Sequence, residues 1–224
     1  MTAEGNQPVT EAAAGSPRER YRAQVRAEIK QHAWQQIATA GASALSLNAI
    51  AKRMGMSGPA LYRYFAGRDE LITELVRDAY RGLADTIRAA SGAGPAGPAH
   101  ALRAWALEDP QRYLLIFGTP VPGYRAPEDI TGISDEIMAV LLDACAPLDS
   151  EDAPATPFGA HLAEHRAWAG DHPAPPAALH RALALWTRLH GVLSLELSGH
   201  FAAMGFDPAL LYAAELEDSL RPRP

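Results

Sequence analysis

The most informative stretch of the chain is SLNAIAKRMGMSGPALYRYF, residues 46–65. It contains two short segments with regularly spaced apolar residues, 47–54 and 58–65, on either side of a Gly-Met-Ser sequence. Ser46 and Ser57 stand where an N-cap would accept hydrogen bonds from the first amides of the segment that follows. Two short helices joined by a three-residue turn with glycine form a helix-turn-helix, and this stretch predicts one.

The second segment has the chemistry of a helix that enters the major groove of DNA. Its first residues, Gly58, Pro59 and Ala60, are small enough to let the N-terminus of the helix approach base edges in a groove about 12 Å wide. Pro59 falls in the first turn, where its missing amide costs nothing. Arg63, one turn further on, can reach O6 and N7 of guanine, and its alternative is a solvated surface position.

Three more side chains near this segment can contact phosphates. Tyr62 and Tyr64 lie to the sides of the helix, where a phenol can donate to a phosphate. Arg68 begins the next helical segment, whose N-terminus favours an anion. The alternative for the two tyrosines is ordinary packing beneath the motif. Lys52 and Arg53 are expected on a solvated face or in peripheral phosphate contacts rather than at bases.

Charge is unevenly distributed along the sequence. The formal net charge is −6 for 224 residues, but residues 17–90 carry a net charge of +5 and residues 91–224 carry −9. This asymmetry indicates a basic DNA-binding end and an acidic body. Cys145 is the only cysteine, which excludes an intramolecular disulfide. With neither a signal-peptide layout nor an apolar run long enough to span a bilayer, we expect a cytoplasmic protein without a membrane partner.

Apolar residues recur every three or four positions, and this spacing predicts an all-α protein. We expect a disordered leader (1–16), a DNA-binding domain of three helices with a connecting helix (17–90), and a helical C-terminal domain for ligand binding and dimerisation (91–224). The expected C-terminal elements are helices near 99–108, 111–117, 130–144, 162–169, 177–201 and 208–220, with an acidic loop at 146–157.

Residues 41–71 resemble the DNA-binding domain of the tetracycline-repressor (TetR) family. The resemblance covers about residues 20–75 and lies in AIAKRMGMS, ALYRYF and GRDEL. It implies that Asn48 joins the small residues and Arg63 in the groove, while the tyrosines and Arg68 contact phosphates. At the position of Arg68 the family commonly has lysine, which carries the same charge with a different donor geometry. The candidate DNA-binding residues are Asn48, Ser57, Gly58, Pro59, Ala60, Tyr62, Arg63, Tyr64 and Arg68.

The run ALALWTRLHGVLSLEL, residues 182–197, resembles a C-terminal class of the same family marked by Trp186 and His190-Gly191. The resemblance implies a homodimer that pairs through helices at about 177–220, and a small-molecule pocket in each C-terminal domain. His190 itself is expected to be a buried hydrogen-bonding residue. Aromatic and methionine side chains at helical spacing are candidates for the pocket, with plain core packing as the alternative. They are Trp105, Tyr113, Phe117, Met138, Trp168 and Trp186.

Metal and catalytic chemistry have little support in the sequence. His161 and His165 are spaced four residues apart, as are Glu196 and His200, but neither pair has an evident third ligand. A Gly-x-Ser-x-Gly elbow, a phosphate loop and a dinucleotide fingerprint are all missing from the sequence. We therefore expect a protein that is not an enzyme and uses no cofactor or metal.

These patterns favour a ligand-responsive transcriptional regulator, most often a repressor in such families. As a homodimer it would bind a palindromic operator in double-stranded DNA and respond to a small molecule. One alternative is a helical small-molecule-binding or catalytic protein whose N-terminal domain serves dimerisation only. Another is a regulator that senses no ligand and is controlled by its abundance.

Overall fold

The computed structural model describes residues 16–125, 127–148 and 156–221, and these ranges contain helices but no strands. The predicted all-α fold class is confirmed. None of the helices in the described ranges combines the length and apolar character needed to cross a bilayer. The expected leader lies outside the described residues except for Ser16, and so do residues 149–155 of the expected loop.

Ten α-helices account for most of the described residues, with short 3-10 turns at Ala42–Ala44, Ser91–Ala93, Ala146–Leu148 and Ala167–Ala169. The helices are α1 (Pro17–Ala40), α2 (Leu47–Arg53), α3 (Gly58–Leu61), α4 (Arg68–Ala89), α5 (Gly97–Glu108), α6 (Pro110–Phe117), α7 (Glu128–Cys145), α8 (Pro157–Glu164), α9 (Pro176–Leu197) and α10 (Pro208–Leu220).

The protein forms two compact units, Met1–Arg68 and Asp69–Pro224. The division falls at the start of α4, because Arg68 is the first residue of that helix. The charge pattern and the Gly/Pro-rich segment 91–98 place a boundary some twenty residues later in the sequence. The described part of the N-terminal unit therefore consists of α1, α2, α3 and their connections.

The N-terminal unit follows its local sequence signals closely. Helix α1 begins with a capping box in which the Ser16 hydroxyl accepts from the Glu19 amide and the Glu19 carboxylate accepts from the Ser16 amide. It ends at Gly41, whose φ of 76° is a conformation that glycine adopts without strain. Helix α2 begins at the predicted cap, because the Ser46 hydroxyl accepts from the Ala49 amide at 3.3 Å. Side-chain caps thus define where both helices begin, and a glycine defines where α1 ends.

Four expected features differ from the structure. Helix α3 ends at Leu61 rather than at residue 65, because the backbone tightens into a turn in which the Tyr64 amide donates to Leu61. Ser57 occupies the N-cap position of α3, but its side chain accepts no cap hydrogen bond. Helix α8 covers Pro157–Glu164 instead of 162–169, because Thr156 caps its start and the backbone leaves the helical conformation at His165, before a separate 3-10 turn at Ala167–Ala169. Helix α9 ends at Leu197, short of residue 201, because Gly199 turns the backbone with a φ of 78°.

Helix α9 is the centre of the C-terminal unit, where it packs against α5, α6, α7, α8 and α10. Its fully buried side chains include Leu179, Leu185 and Leu193. Two polar contacts join neighbouring helices: Arg103 of α5 forms a largely buried ion pair with Glu196 of α9, and the Tyr212 hydroxyl of α10 donates to the carbonyl of Ala99 at 2.7 Å. These contacts connect α5, α9 and α10 into one body.

A row of ion pairs joins α4 to α7. Arg77 lies 2.7 Å from Asp129, while Arg81 and Arg88 both contact the carboxylate of Glu136. Their side chains are one third to one half exposed, so each pair contributes little stability by itself. Together, these ion pairs favour the packing of one particular face of α4 against α7.

Arg181 of α9 is a buried charged residue that stabilises the end of α10. Its side chain is 2% exposed, and its Nη1 donates to the carbonyls of Ser219 at 2.7 Å and Arg221 at 2.8 Å. Carbonyls at a helix C-terminus have no partner within the helix, and a cation there also interacts favourably with the helix dipole. The guanidinium of Arg181 thus caps the C-terminus of α10.

Replacing Arg181 with alanine is expected to lower the free energy of unfolding by roughly 2–3 kcal/mol, because buried carbonyls would lose their donor. Arg188→Ala is the matched control, since Arg188 lies on the same helix and pairs with Asp218 of α10, but with a side chain that is 46% exposed. That control is expected to cost at most about 1 kcal/mol. Chemical denaturation measures both, and equal losses would contradict the capping role.

Candidate functional site

The helix-turn-helix is held in place by two fully buried side chains of the second segment. Leu61 and Phe65 are each 0% exposed, whereas Ser57, Pro59 and Arg63 of the same segment are exposed. An apolar side chain that is anchored in the core sets the rotation of a short helix about its axis. The burial therefore directs the small residues and Arg63 outward together.

Asn48 of α2 lies beside the first residue of α3. A Cβ built on Gly58 would be 3.5 Å from Oδ1 of Asn48, which is an ordinary van der Waals distance. Asn48 is exposed, and the turn between the helices is closed by a hydrogen bond from the Met56 amide to the Ala51 carbonyl at 2.9 Å. The structure thus brings Asn48 and the start of α3 onto one surface.

Tyr62, Arg63 and Tyr64 follow α3 in the turn that replaces its expected second half. Tyr62 is 47% exposed, Arg63 is exposed, and Tyr64 is half-buried. The hydroxyl of Tyr62 is therefore better placed for an outside partner than that of Tyr64. All three remain close to α3 because the amides of Tyr64 and Phe65 donate to the carbonyl of Leu61.

Two arginines of α1 support this turn, and the sequence analysis did not identify their role. Arg22 donates from Nη2 to the carbonyl of Arg63 at 3.3 Å, and Arg26 donates from Nη1 to the carbonyl of Tyr64. The guanidinium of Arg26 also lies 4.2 Å from the centre of the Phe65 ring, a cation–π geometry. The basic face of α1 was the only available signal, and it cannot distinguish a support from a solvated surface.

Arg68 contacts the connection between α1 and α2. Its Nη2 donates to the carbonyls of Ala42 at 3.0 Å and Ser43 at 3.3 Å, and its side chain is half-buried. These hydrogen bonds tie the first residue of α4 to the connection between α1 and α2. A planar guanidinium suits such a bridge better than a single ammonium group does.

The N-terminal unit is strongly basic. Residues 16–68 contain nine lysine and arginine side chains and two acidic ones, Glu19 and Glu28. The pKa of Glu19 is lowered by its hydrogen bonds with Ser16, so this carboxylate is held at the capping box. A surface with such an excess of cations attracts the phosphates of nucleic acid.

The six pocket candidates all lie in or against the core of the C-terminal unit. Trp105, Tyr113 and Met138 are buried in the core of the C-terminal unit, and the other three are partly buried against it. Phe117 lies 5.1 Å from Tyr113 and 5.8 Å from Trp186 between ring centres, so these three form one cluster. Trp105 lies beside Gly82 of α4, where a Cβ built on the glycine would be 3.6 Å from its Nε1.

His190 of α9 completes this aromatic cluster and gives it a polar centre. Its ring centre lies 3.9 Å from Trp186 and 4.3 Å from Phe117, and it stacks on Tyr113 at 5.5 Å. The Tyr113 hydroxyl lies 2.8 Å from Nδ1 of His190 and 2.9 Å from Oγ of Ser194. His190 is therefore a hydrogen-bonding residue that is partly buried, and its Nε2 atom is fully buried. We call Tyr113, Phe117, Trp186, His190 and Ser194 the aromatic site.

Burial controls the protonation of the aromatic site. It lowers the pKa of His190 to about 4, so the imidazole is neutral at physiological pH. Burial also raises the pKa of Tyr113, with a small opposing effect of its hydrogen bond with Ser194. The Nε2 atom of His190 is inaccessible to solvent and has no hydrogen-bond partner among the described residues.

A separate cavity of about 220 Å³ lies between the 91–98 connection and the C-terminal part of α7. It is lined mainly by apolar groups, including Pro95, Pro98 and Val140, and by Asp143, which pairs with His172 at 3.0 Å. None of the six pocket candidates lines it. The sequence analysis did not identify this cavity, because its walls come from segments about fifty residues apart.

The histidine pair at the C-terminal end of α8 does not have the arrangement of a metal site. The rings of His161 and His165 stack with their centres 4.0 Å apart, and Nδ1 of His165 lies 3.0 Å from the carbonyl of His161. Across the described ranges, no three His, Cys, Asp or Glu side chains are grouped so that they could hold a metal ion. Glu196 pairs with Arg103 rather than with His200.

Comparison with known proteins matches both halves of the sequence to one family. Residues 29–75 match "Bacterial regulatory proteins, tetR family", and residues 96–219 match "Tetracyclin repressor-like, C-terminal domain". The chain is 35% identical over 212 residues to the HTH-type transcriptional regulator Rv1816 of Mycobacterium tuberculosis (strain ATCC 25618 / H37Rv), covering 87% of this chain and 90% of that one.

Solved structures agree with this assignment. The crystal structure of the protein SCO4313 is similar with a TM-score of 0.85 and 73% sequence identity, covering 92% of this chain and 99% of that one. The TetR family transcriptional regulator PfmR from Thermus thermophilus has the same fold, with a TM-score of 0.55 at 16% identity, covering 88% of this chain and 98% of that one. The chain therefore belongs to the TetR family, as a DNA-binding helix-turn-helix transcriptional regulator with a tetracycline-repressor-like C-terminal domain.

Proposed function

We propose that the protein is a repressor that binds a palindromic operator as a homodimer and is released by a small molecule. The observation that carries the proposal is the outward-facing surface of the helix-turn-helix, which Leu61 and Phe65 anchor from below in a strongly basic unit. Small residues on this surface allow close approach to bases, and the surrounding cations favour phosphates.

The proposed DNA contacts divide into two groups. The base-facing group centres on Arg63, which is exposed and can bond guanine, with Asn48 alongside. The phosphate-facing group uses phenolic and guanidinium donors. Arg22 and Arg26 act behind this surface as positioning residues, through their hydrogen bonds to the turn after α3. The proposed contacts are Asn48, Ser57, Gly58, Pro59, Ala60, Tyr62, Arg63, Tyr64 and Arg68.

Dimerisation is proposed through α9 and α10. Leu195 of α9 is 44% exposed and Leu210 of α10 is 70% exposed, although both helices bury their other faces in the core. Exposed leucines on neighbouring helices favour contact with another apolar surface. In a dimer with a twofold axis, this patch on one subunit packs against the same patch on the other. Such a dimer would place two recognition segments in successive major grooves, about 34–36 Å apart.

The effector is proposed to bind in the C-terminal domain at the aromatic site. Tyr113, Phe117 and Trp186 supply apolar surface there, and His190 supplies a polar atom. This is the common composition of small-molecule sites in proteins. A ligand changes DNA affinity only through its different affinities for the DNA-bound and released conformations, so release requires tighter binding to the latter.

Selection of bound DNA from a random pool tests the proposal directly. We expect enrichment of a palindromic sequence whose half-site centres lie about 10–10.5 base pairs apart or at a multiple of that spacing. The full-length protein is used at a stated salt concentration, because nonspecific binding weakens steeply with salt. A pool without any enriched sequence would instead favour a protein that does not bind specific DNA.

Arg63→Ala is expected to lose about 1–3 kcal/mol of binding to the selected operator and to relax the preference at one base position. Binding to random DNA should change much less, because the lost contact is to a base. Lys52→Ala is the matched control, since Lys52 is also exposed but lies near the end of α2. Equal weakening on operator and random DNA would remove Arg63 from the base contacts.

Arg68→Ala is expected to weaken binding to operator and random DNA alike, and to make the logarithm of affinity less steep in salt by roughly 0.9 per lost phosphate contact. Arg68→Lys keeps the charge and is expected to keep the slope. Melting temperatures of both variants monitor the hydrogen bonds to Ala42 and Ser43. An alanine variant with an unchanged salt slope would assign Arg68 to positioning alone.

Leu210→Glu is expected to convert the dimer into a monomer, because a charge would be buried at the proposed interface. Sedimentation analysis measures the change in mass, and affinity for the palindrome should fall while affinity for a single half-site is retained. Leu107→Glu on α5 is the control, because Leu107 is 42% exposed but lies outside α9 and α10. A dimer that survives the Leu210 substitution would contradict this interface.

A further inference from the structure

The hydrogen-bond distances of the aromatic site favour one of the two neutral tautomers of His190. Ser194 Oγ contacts Tyr113 Oη, and Tyr113 Oη contacts Nδ1 of His190. If Nδ1 were protonated, Tyr113 would have to donate to Ser194 or to the His190 carbonyl, which is more distant at 3.3 Å. In the first case the Ser194 proton would have no acceptor among the described residues. In the second, the Tyr113 oxygen would accept from both Nδ1 and Ser194 while its own proton went to the longest of its three contacts.

The opposite direction satisfies both hydroxyl protons. Ser194 donates to Tyr113, and Tyr113 donates to the lone pair of Nδ1 on a neutral imidazole. The proton of the imidazole then resides on Nε2. That N–H group is the buried atom without a hydrogen-bond partner among the residues that the structure describes. A buried donor in this state is destabilising until an acceptor reaches it.

The surroundings of Nε2 restrict the kind of acceptor. The rings in contact with His190 belong to Tyr113, Phe117 and Trp186, and none of them carries a charge at neutral pH. A charged ligand would be desolvated there without a counter-charge in contact, which is unfavourable. Phe117 and Trp186, whose ring centres lie 4.3 Å and 3.9 Å from that of His190, are only partly buried, so a ligand can approach the imidazole from their side.

We propose that the effector is an uncharged, mainly apolar molecule with an acceptor oxygen that takes a hydrogen bond from Nε2–H of His190. The inference rests on the proposed ligand-responsive function and specifies the chemistry of its site. Trp186 and Phe117 pack against the apolar part of the molecule. Tyr113 and Ser194 are positioning residues, since they hold the imidazole in the tautomer that donates.

Four probes of similar size separate the chemical classes: acetophenone, ethylbenzene, benzoate and benzylammonium. Titration followed by tryptophan fluorescence gives dissociation constants, and spectra of protein with ¹⁵N-labelled histidine report the tautomer of His190. We expect Nε2 to be protonated in the free protein and its signal to shift with acetophenone. Benzoate and benzylammonium are expected to bind more weakly than acetophenone.

The decisive quantity is the ratio of the dissociation constants of ethylbenzene and acetophenone, compared between variants. His190→Phe keeps a planar ring without a donor, and the ratio is expected to fall about fivefold, the usual effect of one hydrogen bond. Tyr113→Phe should give a smaller fall with a mixed tautomer spectrum. His200→Phe is the control and should change neither readout, since His200 is exposed beyond the end of α9.

An unchanged ratio in His190→Phe, an unprotonated Nε2 in the free protein, or benzoate binding more tightly than acetophenone would each overturn the inference. If His190→Phe does not fold, the tautomer and the acetophenone shift of the unmodified protein decide the question. Operator binding is measured on the same preparations. A protein that binds its selected operator but shows none of the expected probe behaviour retains the proposed DNA-binding role and loses only this effector class.

Discussion

Leu61 and Phe65 bury their side chains completely, and the arrangement of the DNA-binding surface depends on that burial. Helix α3 has four residues, which is too short to be stable by its own hydrogen bonds. Its orientation is therefore a tertiary property, maintained by the two anchors below and by Arg22 and Arg26 behind. The same burial that stabilises the segment exposes its small residues and Arg63 on one side.

The N-terminal unit depends on apolar anchors, whereas the C-terminal unit contains a polar hydrogen-bond network inside an apolar cluster. Tyr113, His190 and Ser194 pair with one another across α6 and α9, and burial keeps the imidazole neutral. A buried polar network makes the packing of its members specific when it is satisfied, and here Nε2 of His190 is buried without a hydrogen-bond partner among the described residues.

Most helices could be predicted because their signals are local. Ser46 caps α2 at the predicted position, and Asp109 and Asp207 cap α6 and α10 with the same kind of hydrogen bond. The errors have equally specific causes. Ser57 is a favourable residue type at an N-cap, but its side chain accepts no hydrogen bond there. The predicted end of α9 at residue 201 is wrong because the backbone turns at Gly199. Propensity and spacing do not include the tertiary contacts and backbone conformations that decide such endpoints.

The residue pattern was sufficient for the all-α class, the helix-turn-helix and the family resemblance, since caps, turns and apolar spacing act within a few positions of one another. The side-chain contacts that build the two candidate sites were determined by packing between segments that are far apart in the sequence. Arg26 meets Tyr64 across 38 positions, and Tyr113 meets Ser194 across 81. Such pairs leave no periodic signal in one sequence, because each partner is compatible with many others until the folded backbone brings the two together.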